Sequence, residues 1–197
     1  MSQAPRLPRE FYAQPTLTVA RQLLGQRIAR LEPGGLRTAG LITETEAYIG
    51  IDDKGSHASI GRSPRNAPMW GPPGFAYVYF IYGMHWMFNI VTEEEGFPAA
   101  VLIRALLPEE GLEIMQSRRG DRPLQSLTDG PAKLCQALGI DRSFNGSDLC
   151  SPEATLFLER GLAIPDSAVT IGPRVGLNQV DEPWKSMPWR FRAHINR

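Results

Sequence analysis

Residues 75–92 read FAYVYFIYGMHWMFNIVT. Two aromatic and β-branched runs, over 75–82 and 86–92, flank a Gly83-Met84 turn. Together they predict a β-hairpin. Side chains alternate along a strand, so Tyr77 and Tyr79 share a face while Tyr82 sits at the tip. A large apolar tip is unfavourable in water unless it inserts into something. A base stack is one candidate and a partner's pocket another. An ordinary aromatic strand, with Tyr favoured in sheets, is the plain alternative.

Outward from the hairpin, a third strand is expected over 99–107. Upstream, strands over 27–31 and 36–48 are separated by Pro33-Gly34-Gly35. Short strands follow over 155–159, 168–171 and 189–195. Thr16 or Thr18 can cap a short helix that carries Val19, Leu23 and Leu24 and stops at Gly25. Further helices are expected over 111–119 and 129–138, the latter with Asp129 as cap, Pro131 in its first turn and Gly139 at its end. Residues 1–14 read as an extended arm. The stretch 50–73 is rich in Gly, Pro, Ser and Asp without periodicity. A loop of that length in a compact domain is usually functional or disordered. The sum is one mixed α+β domain over 1–197, a curved, largely antiparallel sheet with short flanking helices.

The composition agrees. The chain has 197 residues, 42% of them apolar, which excludes general disorder. Gly 19 and Pro 17 point to many turns and against a helical bundle. Lys+Arg 21 balances Asp+Glu 21, so bulk charge gives no support for nucleic-acid binding, although one basic face remains compatible with it. Two cysteines are too few for a disulfide framework and fit a reducing compartment. Three histidines without a CxxC or HExxH pattern argue against a metal site. Neither a signal peptide nor an apolar run of membrane length is visible, so a soluble cytoplasmic protein is expected.

Several residues can carry chemistry. Glu44, Glu46 and Tyr48 lie on one strand face and open into the long loop. They form an acid/base site or a solvated face with Tyr48 as a lid. Two carboxylates side by side raise the pKa of one of them. His57 either bonds a substrate edge or sits in solvent. Asn89 and Arg104 interrupt apolar strands, and buried polar groups need partners. Each is a recognition group or, for Arg104, half of a buried pair with a carboxylate such as Glu46. Lys133 lies in a helix's first turn, where phosphate binds well. Cys135, Leu134 and Leu138 read as core.

In order along the chain stand Glu44-Thr45-Glu46-Ala47-Tyr48 with His57, then Ser63-Pro64-Arg65-Asn66, Pro73-Gly74, Tyr77-Val78-Tyr79, and Ile81-Tyr82-Gly83-Met84 with Asn89. Leu102-Ile103-Arg104-Ala105-Leu106, Gly130-Pro131-Ala132-Lys133-Leu134-Cys135-Gln136-Ala137-Leu138 and Arg174-Val175-Gly176 complete the set. This ordered set resembles the alkyladenine (3-methyladenine) DNA glycosylase family, the monofunctional mammalian type, in a bacterial member. The resemblance implies a single domain with a protruding hairpin that enters DNA. It implies Tyr82 and Met84 as intercalating residues, and Tyr48 and Tyr79 as faces that stack a flipped base. His57 then bonds the base edge, and Asn89 disfavours the guanine 2-amino group. Glu46 is implied as the base that activates water for attack on the sugar C1′, with Arg104 and the Val175 carbonyl holding that water. Arg65, Lys133 and Arg174 are implied backbone contacts. No cofactor and no metal are implied, and no lyase activity, since no lysine lies in these motifs. The expected partner is double-stranded DNA with damaged purines, bound by a monomer. The run Glu93-Glu94-Glu95 is expected to point away from DNA. A catalytically inactive damaged-DNA-binding module, and a nucleoside or glycoside hydrolase using Glu44 and Glu46, are the competing readings. The hairpin's His85-Trp86-Met87-Phe88 departs from the mammalian pattern.

Overall fold

The structure, a computed structural model, describes residues 4–195. In chain order the elements are α1 (Arg9–Tyr12), α2 (Thr16–Gln22), β1 (Arg27–Leu31), β2 (Arg37–Ile49), β3 (Ala76–Ile81), β4 (His85–Val91), β5 (Ala99–Glu110), α3 (Leu112–Arg119), α4 (Pro131–Leu138), β6 (Leu156–Glu159), β7 (Val169–Gly172) and β8 (Arg190–Ala193). The sheet runs β3-β4-β5-β2-β1-β6, and β8 adds the β7-β8 hairpin onto β2. All the pairings between these strands are antiparallel. This is the curved mixed α+β fold that the hairpin stretch pointed to.

The long strand β2 changes partner. Its residues Arg37–Leu41 pair with β1, and Glu44, Thr45 and Glu46 pair with β8. Its other edge pairs with β5. Between the two halves the β2–β5 register slips at Thr43 and again at Arg104: Ile42 faces Leu106, Glu44 faces Ala105, and Thr45 faces Ile103. Each slip shifts the alternation by one residue, as β-bulges do. Ile42 and Leu106 lie in the core before the slips, and Ala47, Ile103 and Val101 lie in it after them. Glu44, Glu46 and Tyr48 are thereby turned to the opposite face together.

The main core lies on one side of the sheet. There Val19 and Ala20 of α2, Leu23 just after it, and Leu134, Cys135 and Leu138 of α4 meet Val78, Phe88, Ile90 and Val101. Cys135 is a core residue, as its helical spacing suggested. Across the sheet a smaller cluster joins Tyr77, Val91 and Ala100 to Ala58 and Met69 of the long loop. The loop is ordered without strands because Asn66 closes it. Its amide nitrogen donates to the carbonyls of His57 (2.8 Å) and Gly61 (2.9 Å), and its oxygen accepts from the Ser63 N–H (2.7 Å).

Local details correct three expectations. The N-terminal arm is not wholly extended. Leu7 and Tyr12 are buried, and Arg9 bonds Asp148 (2.6 Å) and the Pro73 carbonyl (2.7 Å), which holds one helical turn; residues 1–3 lie outside the described part. Neither expected threonine caps α2. Thr16 is its first residue, and its N–H donates to the carboxylate of Glu93 at 3.1 Å. The acidic run thus supplies a cap from a distant segment. Asp129 does not cap α4 either; it pairs with Lys133 at 2.8 Å, and Gly130 holds the cap position.

Among the described residues no helix is long and apolar enough to cross a membrane.

Gly25 joins α2 to β1 at φ +81°, and a Cβ there would lie 2.3 Å from the Leu162 carbonyl oxygen. Gly25→Ala is expected to destabilise the fold by about 1–3 kcal/mol from backbone strain alone, with more from the clash. Urea unfolding monitored by tryptophan fluorescence measures it.

Candidate active site

The face opposite the main core carries a cavity of about 390 Å³. Its walls come from Tyr48 of β2, the β3-β4 hairpin, β5, Pro131 at the start of α4, the loop residues Ser56, His57 and Met69, and the segment Val175-Gly176-Leu177. Tyr77 and Tyr79 come from β3, Asn89 from β4, and Leu102 and Arg104 from β5. Sheet alternation explains the grouping, since all five project away from the core cluster. A wider groove of about 820 Å³ lies along Leu107, Pro108, Leu124 and Arg192; Glu44, Asp129 and His194 also line it, but among the described residues no tyrosine, tryptophan or phenylalanine does.

Glu46 is fully buried at 0% exposure beside the cavity. Its Oε1 accepts from the Val175 N–H at 2.6 Å. Its Oε2 accepts from the Tyr48 hydroxyl at 2.9 Å and from Arg104 Nη1 at 3.2 Å. Burial pushes the Glu46 pKa above the usual carboxylate range, and the Glu44 charge adds to that rise. Arg104, the Val175 N–H and Tyr48 oppose it without cancelling it. Arg104 also donates through Nε to Glu44 at 3.0 Å. The sequence left the Arg104–Glu46 pairing open; here it is formed, at the edge of the cavity.

The aromatic walls are held as rigidly. His57 Nδ1 and the Tyr77 hydroxyl share a hydrogen bond of 2.9 Å, which leaves Nε2 as the second polar edge of the ring. Burial, with the Arg65 charge, lowers the His57 pKa and keeps the ring neutral at pH 7. The His57 ring meets Tyr79 edge-on at 4.5 Å between centroids. Burial raises the Tyr79 phenol to about 12 and the Tyr48 phenol well above its ordinary value, so both stay protonated. The Asn89 amide nitrogen donates to the Tyr77 carbonyl at 3.0 Å.

Arg174 takes a place different from the one expected of it. Its guanidinium is fully buried in a two-bond pair with Asp53, at 2.5 and 2.7 Å. It also lies between the Tyr48 and Trp189 rings, 4.7 and 4.9 Å from their centroids. It is therefore not presented to a DNA phosphate; it backs the Tyr48 ring on the side away from the cavity. Lys133 is half-exposed and paired only with the exposed Asp129, a weak contact that an incoming anion can replace. Arg65 is exposed, donates to the Phe80 carbonyl at 3.1 Å, and lies 5.6 Å over the Tyr79 ring. Val175 contributes its N–H to Glu46, a contact not foreseen, and sits half-exposed at the cavity wall.

At the cavity mouth Tyr82 is 79% exposed. The turn is centred on Tyr82-Gly83 rather than Gly83-Met84: the Met84 N–H donates to the Ile81 carbonyl, and both central residues have positive φ, 55° and 67°. That pair of angles is the type I′ hairpin geometry. Met84 is exposed too, but it lies with His85 and Trp86 along the hairpin's other flank. Glu93 is tied to α2, and none of the three residues of the acidic run lines the cavity. Asp53 is a structural support that the sequence reading did not single out, and Tyr77 was noted there without a role of its own in the site. Tyr77 was legible from its shared face with Tyr79; Asp53 gave no signal.

Comparison with known proteins now adds a second line. The family model described as methylpurine-DNA glycosylase matches residues 10–197. A relative from Methanocella arvoryzae, provisionally named 3-methyladenine DNA glycosylase, is 50% identical over 188 residues, covering 95% of this chain and 92% of that protein. Relatives with the same provisional name from Myxococcus xanthus and Desulfitobacterium hafniense are 48% and 45% identical, over 94% of this chain and 88% and 94% of theirs.

Asp53→Ala would leave the Arg174 guanidinium buried without its carboxylate. It is expected to cost about 3–5 kcal/mol of stability, read by urea denaturation. Base release should fall in parallel if the Tyr48 ring shifts with its support.

Proposed function

The chain belongs to the methylpurine-DNA glycosylase family and is a DNA glycosylase of DNA repair; from that premise we propose that it flips alkylated or deaminated purines out of duplex DNA and hydrolyses their N-glycosidic bond with water activated by Glu46. The observation that carries the proposal is the Glu46 carboxylate, buried beside an aromatic cavity and fixed by three donors.

A carboxylate offers about four lone-pair sites. Val175, Tyr48 and Arg104 fill three, which leaves one for a water. In the reaction that water attacks the sugar C1′, Glu46 takes its proton, the C1′–N bond breaks, and the free base leaves an abasic sugar. The ionised Glu46 also stabilises positive charge that develops on the sugar ring. The reaction needs neither metal nor cofactor, and with no lysine among the lining residues it forms no covalent imine.

A base inside a duplex is out of reach, and extruding it costs a few kcal/mol. Tyr82 is suited to fill the gap that the base leaves, with the exposed Met84 entering from the hairpin's other flank. Tyr48 and Tyr79 supply flat π-faces, which favour a cationic alkylated purine. The neutral His57 offers Nε2 to the base edge. Asn89 is tied to the Tyr77 carbonyl, so its amide cannot swing aside for the 2-amino group of normal guanine. The exposed Arg65 and half-exposed Lys133 are assigned here to phosphate contact, supported by their exposure, and a monomer is sufficient for this chemistry.

Glu46 works as a base only when ionised. Its raised pKa therefore puts the acid limb of single-turnover release above the ordinary carboxylate value of about 4.3, with the rate rising as pH increases through it. The same shift means that protonated Glu46 stabilises the fold at low pH. That contribution is lost as pH rises from the ordinary carboxylate value through the raised one. Glu46→Gln is accordingly expected to lower release from hypoxanthine- or 3-methyladenine-containing duplex by about 10²–10⁴-fold while its Tm at neutral pH stays equal or rises. Release within tenfold of the parent would remove Glu46 from the role of base.

A further inference from the structure

Glu44 has no part in the reaction as proposed, yet its carboxylate faces three arginines, one of which also binds Glu46. Its Oε1 lies 3.0 Å from Arg104 Nε and 3.4 Å from Arg190 Nη1, and its Oε2 lies 3.7 Å from Arg192 Nε. It sits between the slips at Thr43 and Arg104, two of the three shifts in the β2–β5 register. β8 pairs beside it, with Arg192 opposite Glu44 and Arg190 opposite Glu46. Glu44 is therefore locked by backbone on both sides and by charge at its tip.

Arg104 is held at two points. Nε binds Glu44 and Nη1 binds Glu46. A guanidinium is planar, so fixing Nε fixes the direction of both terminal nitrogens. Without Glu44 the Arg104 side chain would hang on the single 3.2 Å contact to Glu46, and its long stem would be free to rotate. Resting on the assignment of Glu46 as base, we propose that Glu44 is a positioning residue that holds the Arg104 guanidinium against Glu46, with Arg190 and Arg192 keeping Glu44 itself in place.

The pH dependence gives a readout that a purely structural role would not move. The groups facing Glu46 are Tyr48 and Glu44 on its own strand, Arg104 on β5, Tyr79 on β3, Arg190 on β8, and the Val175 N–H. Of these Glu44 is the only other carboxylate, and its charge holds the Glu46 proton more tightly. Neutralising it leaves the surrounding arginines unopposed, so Glu46 would ionise at lower pH.

The experiment uses a duplex with one hypoxanthine, the parent, Glu44→Gln, Glu44→Ala and Glu46→Gln, in single turnover across pH, with lesion binding and Tm measured on each. Glu44→Ala is expected to lower the plateau rate about 10- to 100-fold with lesion binding kept. Glu44→Gln can still accept from Arg104 Nε, so it is expected to keep more of the rate and to show its acid limb at lower pH than the parent. An unmoved acid limb, with the rate per folded molecule equal to the parent's in both Glu44 variants, would overturn the inference while an inactive Glu46→Gln left the base assignment standing. Parent-like release by Glu46→Gln would overturn the base assignment and this inference with it.

Discussion

The carboxylate of Glu46 has no contact with solvent, and a charge in that position is tolerated only when donors surround it. The donors come from three separate segments: Tyr48 two residues on, Arg104 on the neighbouring strand, and the backbone of Val175 near the C-terminal end. The first contact is local, two residues apart on one strand face, and the other two are not. They require β5 to pair beside β2 and the C-terminal segment to be docked. The site is therefore a report on the whole fold: any displacement of β5 or of the Val175 segment removes a donor from a carboxylate that bulk solvent does not reach. Burial outweighs these donors and leaves Glu46 with a raised pKa, which is a cost in stability at neutral pH and a gain in basicity.

The Asp53–Arg174 pair solves the docking problem. Both side chains are fully buried, and the guanidinium satisfies the Ala47 carbonyl at 3.0 Å as well as Asp53. Ala47 follows Glu46, and Val175 follows Arg174. One ion pair thus fixes the backbone on both sides of the Val175-to-Glu46 hydrogen bond while its guanidinium supports the Tyr48 ring. Apolar residues of similar volume are often as stabilising as a buried pair. They would not, however, fix a direction, and direction is what a short hydrogen bond to a buried carboxylate demands.

The fold was legible in the sequence where alternation was regular. The hairpin, β1, β5 and α4 fall where aromatic, β-branched and punctuating residues put them. The shared face of Glu44, Glu46 and Tyr48 was legible for the same reason. What was hidden were contacts between distant segments. Glu93 caps α2 from across the chain, where the sequence offered Thr16, Thr18 and no reason to look further. Arg174 read as a surface cation because its partner, Asp53, lies 121 residues away in a loop with no periodicity. The slips at Thr43 and Arg104 left no sequence signal, since neither Gly nor Pro marks them. They matter because they decide which side of the sheet carries the charges. The family resemblance supplied expected roles, but it could not say that Val175 offers Glu46 its N–H.

Tyr82 shows the opposite case, a residue at odds with its own local structure. A type I′ turn favours Asn, Asp or Gly at positive φ, and Gly83 beside it fits without strain. A tyrosine at φ 55° costs about 1–3 kcal/mol, and this one leaves its ring in water as well. A glycine at position 82 would relieve both costs, so the local rule is broken for something outside the free protein. Such conflicts between local and global preference are expected where function resides. Under the reading proposed here, stacking the ring inside a duplex would offset the exposure term, leaving only the backbone strain. That strain is useful in itself: a tight two-residue turn has few alternative conformations, so the wedge meets DNA already aimed. A relaxed, longer loop would carry the same ring at lower energy but would have to be ordered on every encounter.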